Sequence, residues 1–171
     1  MSRAVLSIGS NVGDSLAHLR SVVTALGSHL VAASAVYSTA PWGGVEQQDF
    51  LNAALLADDP ASSPREWLDF ARACEEAADR VRVERWGPRS LDVDIVVCDD
   101  VVSHDPELLL PHPRAHERAF VLIPWLDVDP SATLEADGTT LALADWLSAL
   151  SEEERAGVRR TDMTLDTAEP T

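Results

Sequence analysis

At 171 residues, with 46% hydrophobic and 25% charged residues, the chain has the length of one globular domain and lies outside the disordered and membrane-spanning compositions. A formal net charge of -16 argues against a nucleic-acid partner, which needs a net basic face to displace counterions, but does not exclude a nucleotide. No apolar run approaches the roughly 20 residues that cross a bilayer, and Met1 to Leu6 lead into a strand pattern without a small-residue cleavage site. A cytoplasmic protein with no membrane partner is expected.

Val5 to Ile8 reads as a first strand, and Gly9 to Asp14 supplies turn chemistry ending at a helix cap. Leu16, Leu19, Val22, Val23, Leu26 and Leu30 then recur at helical spacing. Leu30 to Tyr37 reads as a second strand, Thr39 to Gly44 as a loop, and Phe50 to Leu56 as a third strand. Ser62-Ser63-Pro64 starts a second helix whose apolar face is Trp67, Leu68, Ala71, Cys74 and Ala78 and which ends near Arg80. After an arginine-rich loop broken by Gly87-Pro88, Leu91 to Val97 reads as a fourth strand.

Residues 105–118, with three prolines and two histidines, suit an extended loop, followed by helices at Ala119 to Leu126 and Leu141 to Leu150. The order strand, helix, strand, strand, helix, strand predicts an α+β, ferredoxin-like βαββαβ sandwich with both helices on one face and extra C-terminal helical segments. Residues 1–150 form the single domain in this reading, and 151–171 a polar, frayed C-terminal tail. Cys74 and Cys98 have neither CxxC spacing nor a disulfide framework and are expected as buried free thiols.

All thirteen basic residues are arginine, and Arg80, Arg82, Arg85 and Arg89 fall within ten positions. Without lysine, Walker-loop and protein-kinase phosphate sites are unavailable, so phosphate must be held by arginine forks, backbone NH groups or a metal. Asp92 and Asp94 are two apart on a strand, which puts both carboxylates on one face; two ionised neighbours there call for open solvent or a counter-cation such as Mg²⁺. A DxD alone is common as a solvated strand edge, but Arg85-Trp86-Gly87-Pro88-Arg89 directly before it brings phosphate-binding groups close to the carboxylates.

Other residues admit two readings each. Asn52 is either a structural amide or a reader of both edges of a heterocycle. Phe120 is a core residue or a stacking platform, and Trp42 either of these. His112, between two prolines, is an exposed loop histidine or a phosphate contact, and Glu75 reads first as a solvated helix face.

Taken together, Ser7-Ile8-Gly9-Ser10-Asn11, Tyr37-Ser38-Thr39-Ala40-Pro41, Phe50-Leu51-Asn52-Ala53-Ala54, residues Arg85 to Ile95 and Leu110-Pro111-His112-Pro113 resemble the 6-hydroxymethyl-7,8-dihydropterin pyrophosphokinases of folate biosynthesis from Leu6 to about Leu126. The resemblance implies a ferredoxin-like monomer that moves the β,γ-pyrophosphoryl group of ATP to the hydroxymethyl oxygen of the pterin and releases AMP. It implies that Asp92 and Asp94 hold two Mg²⁺ ions, with Arg82 and Arg89 also catalytic. Arg82, Arg85, Arg89, His112 and Arg118 would contact the nucleotide phosphates, Glu75 and Trp86 line the site, and Ile95 packs near adenine. Thr39, Ala40, Pro41, Trp42, Phe50, Asn52 and Phe120 would form the pterin pocket, with Asn52 on the ring edge and Phe120 stacked on its face. The chain departs from the family pattern at Asp79, where glycine is usual, in a loop one residue shorter from Arg80 to Arg85, and at Ser38, Ala40 and Trp42.

Two other classes fit parts of this pattern. A DxD glycosyltransferase also places a divalent cation on a diphosphate but ordinarily needs a longer doubly wound unit. A non-catalytic ferredoxin-like binding module would keep the site without the activity.

Overall fold

A computed structural model describes residues 2–40, 49–79 and 90–165. β1 (Arg3–Ser10) leads into α1 (Ser15–Leu26), whose start is capped by the Asp14 carboxylate accepting from the Ala17 N–H at 3.1 Å. β2 (Leu30–Ala33), β3 (Tyr37–Thr39) and β4 (Phe50–Asp58) follow. α2 (Pro64–Asp79) opens with a reciprocal capping box: Ser63 Oγ accepts from Glu66 N–H, and the Glu66 carboxylate accepts from Ser63 N–H, both at 3.2 Å. β5 (Asp92–Cys98) then returns to the sheet.

In the main sheet β5, β1, β4 and β3 lie side by side in that order, β2 also pairs with β4, and every pairing is antiparallel. β1 is therefore the strand enclosed on both edges by the segments that carry the candidate residues Asn52, Asp92 and Asp94. Its Ala4, Leu6 and Ile8 face α1 and α2 and pack with Leu19, Val22, Leu55, Trp67, Ala71 and Cys74. Val5, on the other face, packs with Leu56, Val96, Leu122 and Trp125. The sheet is covered on both faces, which is why β1 is buried from Ala4 onward.

The second layer comes from the C-terminal third. After the hairpin β6 (Ser103–Asp105) and β7 (Leu108–Leu110) come α3 (Ala119–Val128), a second hairpin β8 (Thr133–Ala136) and β9 (Thr139–Ala142), and α4 (Leu143–Ser148). α5 (Glu152–Ala156) and β10 (Val158–Arg160) end the described chain.

Three expectations change. The stretch 105–118 is no featureless loop: its start belongs to the β6–β7 hairpin, and Leu108 and Leu110 reach the α1–α2 core. The second strand is split, because the Ser34 hydroxyl accepts from Ala54 N–H at 2.8 Å and Asp127 takes the Ala35 N–H at 3.2 Å, diverting backbone groups from the ladder. The segment after Ser151, expected to fray, is built into the sheet: β10 pairs with β3, the Thr161 N–H and hydroxyl both donate to Val36 O, and Leu165 is buried in the α1–α2 core. Arg159 also lies 3.6 Å from Asp49, whose carboxylate accepts from the Ser38 hydroxyl at 3.2 Å. Both cysteines are buried and free.

The Tyr37 hydroxyl donates to Asp127 at 2.6 Å, locking β3 to the last turn of α3. Burial, then the hydrogen bond and charge of Asp127, push the phenol up to about 12. The chain has one tyrosine, so phenolate absorbance reports this site alone. Folded protein should titrate near 12 and denatured protein near 10. Because the folded value is raised, the stabilisation is complete below the unfolded value and is lost as pH rises through the folded one. A folded-state midpoint near 10 would contradict the lock.

Candidate active site

Side chains alternate along strands, so the antiparallel register sorts the predicted residues onto faces. Gly9 of β1 lies opposite Asn52 of β4 and Asp92 of β5, and Ser7 lies opposite Ala54 and Asp94. These two rows share the face that carries Val5 and Leu56, opposite α1 and α2. α3 covers the Val5 end of that face with Val121, Leu122 and Trp125, and the Asp92 and Asp94 side of β5 is exposed. Phe50, two residues before Asn52, is half-buried on the same face.

The Asp92–Val93–Asp94 segment is held from behind. β5 is an edge strand, and its Val93 N–H donates to the Glu75 carboxylate at 3.0 Å. Glu75, expected to line the site, is thus engaged with the backbone between the two aspartates. The entrance to β5 is clasped twice: Ser90 N–H donates to Asp79 at 3.2 Å, and the Ser10 hydroxyl donates to the Ser90 carbonyl. Asp79, where the family pattern has glycine, thereby ties the end of α2 to the start of β5.

His112 is placed through a β-bulge. The β1–β5 register skips Val96, and the carbonyl of that extra residue accepts from His112 N–H at 2.8 Å. His112 Nδ1 accepts from Arg114 N–H at 3.2 Å, which leaves Nε2 to carry the proton of the neutral ring. Burial lowers its pKa, Asp94 pulls it up, and Arg118 and Arg114 lower it further. The exposed-loop reading of His112 does not hold. Arg118, the residue before α3, sits over the Phe120 ring at 5.5 Å from its centroid, and Phe120 is half-buried against the α3 cluster.

Asn52 is 5% exposed, and its amide Nδ2 donates to Thr39 Oγ1 at 2.9 Å. Ala40 follows Thr39 at the exposed end of β3. Ile95 is a correction: it projects to the other face from Asp94 and is 5% exposed in the core under α1 and α2, so its side chain is a packing residue. Pro41 and Trp42, and Arg80, Arg82, Arg85, Trp86 and Arg89, lie outside the described residues.

Among the described residues no cluster of three or more histidine, cysteine or carboxylate side chains gathers. A pair of exposed carboxylates on one strand face suits Mg²⁺, which keeps several waters and is commonly held by one or two carboxylates plus substrate phosphates. Sequence reasoning missed Gly9, although a glycine inside a strand is a signal of close approach by another group. It also missed Asp127, whose role depends on a contact 90 residues away in sequence.

The sequence model of the family described as 7,8-dihydro-6-hydroxymethylpterin-pyrophosphokinase (HPPK) matches residues 5–130. The chain belongs to the HPPK family. It is 52% identical over 168 residues to a Mycobacterium tuberculosis protein named 2-amino-4-hydroxy-6-hydroxymethyldihydropteridine pyrophosphokinase, covering 93% of this chain and 89% of that one. A Mycobacterium leprae protein of the same name is 49% identical, covering 96% and 92%. In fold the chain is similar to a Plasmodium falciparum HPPK-DHPS crystal structure, with a TM-score of 0.67 at 12% identity over 93% of this chain and 46% of that one. The HPPK-family chain thus spans less than half of that longer protein. Among its described residues no helix is long and apolar enough to cross a membrane.

In this HPPK-family site the His112 ring should be neutral at pH 7. Its pKa is lowered from 6.5, so the unfolded chain takes up the proton first; the associated stability is present above that value and lost as pH falls through the folded one. An NMR titration without divalent cation should give a midpoint below 6.5, and Asp94→Asn should lower it further by removing the charge that raises it. A midpoint unmoved by Asp94→Asn would separate the two residues.

Proposed function

We propose that this chain transfers the pyrophosphoryl group of ATP to the hydroxymethyl group of 6-hydroxymethyl-7,8-dihydropterin, releasing AMP, as a folate-biosynthesis enzyme. The observation that carries the reading is the pair of exposed carboxylates, Asp92 and Asp94, on the strand face shared with the buried amide of Asn52, in a chain of the HPPK family. The names of the mycobacterial relatives support the same reaction. We read the architecture as a ferredoxin-like βαββαβ sandwich with extra C-terminal helical segments, supported by the all-antiparallel strand order. The single catalytic domain, expected over residues 1–150, takes in β10 and Leu165 as well, in a cytoplasmic monomer.

The division of labour is the one the family resemblance implies, with support from the geometry of the described residues. Asp92 and Asp94 would hold two Mg²⁺ ions, which would supply neutralisation of the charge on the triphosphate. Glu75 holds the strand between the aspartates rigid through Val93 N–H. His112 and Arg118 offer Nε2–H and a guanidinium to phosphate oxygens beside Asp94, and Arg82, Arg85, Arg89 and Trp86 complete the nucleotide side. Asn52 reads the pterin edge, Phe120 stacks on the ring with Arg118 above it, and Phe50 with Thr39 to Trp42 closes the pocket. Catalysis in this scheme is alignment plus charge neutralisation, with no covalent enzyme intermediate.

A coupled assay for AMP from ATP and Mg²⁺, with the pterin present or omitted, tests this directly. AMP formation should depend on the pterin. Asp94→Ala should abolish transfer with little change in thermal unfolding, since the side chain is exposed; turnover at the wild-type rate in magnesium would defeat the assignment. Phe120→Ala should chiefly raise the pterin KM, and an unchanged value would remove the stacking role. Pterin binding by folded wild-type protein without AMP formation would favour the non-catalytic module.

A further inference from the structure

Within the motif Ser7-Ile8-Gly9-Ser10-Asn11, Gly9 has no task in the proposed reaction. It sits in β1 between Asn52 and Asp92, and a Cβ built on it would lie 2.9 Å from Asn52 Oδ1. The next contacts, Leu51 O at 3.6 Å and Asn52 Cγ at 3.9 Å, are ordinary van der Waals distances. Among the described residues, the one group that a methyl would force aside is therefore the tip of the Asn52 amide. At its other end that amide is held by the 2.9 Å hydrogen bond from Nδ2 to Thr39 Oγ1.

We propose that Gly9 is a specificity-determining residue: the missing side chain lets the Asn52 amide, anchored by the Thr39 hydroxyl, settle at the depth and angle at which it reads the donor and acceptor edge of the heterocycle. The inference rests on the pterin reading of Asn52. A primary amide carries two donors and one two-lone-pair acceptor, so a small displacement at the oxygen end misaligns both edges presented to a planar ligand. Gly9 is a positioning residue, acting through Asn52. The backbone does not require glycine here, because position 9 is extended strand with no positive φ.

The test is Gly9→Ala. Thermal unfolding should be unchanged or slightly raised, as expected when alanine replaces glycine at a compatible strand position. Pterin affinity, titrated directly by its fluorescence, should fall about tenfold or more, the order expected when a buried hydrogen-bonding group is misaligned, while the KM for ATP stays at its wild-type value. In an Asn52→Ala background the same substitution should have no further effect on pterin affinity. Thr39→Val should weaken pterin binding similarly, and Thr39→Ser should restore it.

Wild-type pterin affinity in Gly9→Ala, a loss that persists without the Asn52 amide, or a collapse in thermal stability would each overturn the proposal. Wild-type protein that binds pterin but forms no AMP would sink the transfer reaction and leave the Gly9 comparison intact. Wild-type protein that binds no pterin would overturn both.

Discussion

The register of β1 with β4 on one side and β5 on the other is the constraint to which every other part of the site is referenced. Because side chains alternate, a slip of one residue on either edge would carry Asn52 or the Asp92 and Asp94 pair through the sheet into the α1–α2 core. What prevents such a slip is the apolar set on the far face, where Leu6, Ile8, Leu55, Val93 and Ile95 all need burial at once. The hydrophobic side of the sheet thus sets the position of the polar side.

The two layers divide the larger buried core from the candidate site. α1 and α2 cover one face along β4, β1 and β5, whereas on the other face α3 covers the Val5 end and exposed aspartates occupy the far part of β5. The bulge at Val96 marks this change: before it, β5 alternates exposed aspartate with buried apolar residue, and after it Val96 and Val97 both turn toward the α3 cluster. Its spare carbonyl is also what anchors His112, so one irregularity both ends the polar stretch and furnishes a neighbour for Asp94.

The central α+β order was legible because its signals are local: the capping residues Asp14 and Ser63, the apolar stripe of each helix, and the alternation around Asp92 and Asp94. The break between β2 and β3 was not, since it depends on Asp127 and Ala54, which reach Ala35 and Ser34 only in the folded chain. The role of the polar segment after Ser151 was hidden for the same reason: Val158, Arg159 and Arg160 have no apolar periodicity, and they become a strand because β3 offers an edge. Ile95 was misread by taking a motif as a unit, although strand alternation alone assigns it to the face opposite Asp94. Asn52 and the aspartate pair were legible as candidates, but their meeting across Gly9 is a property of register.

The two thiols give this architecture a built-in chemical reporter. Cys74 and Cys98 both lie in the α1–α2 layer, burial pushes the Cys74 thiol up to about 11 and raises that of Cys98, and the α3 layer contains no cysteine. A thiolate-directed reagent therefore reacts slowly while helices α1 and α2 stay packed on the sheet, and its labelling rate is a clock chiefly for the opening of that layer. Occupancy of the opposite face would slow that clock only insofar as the sheet between them moves as one body.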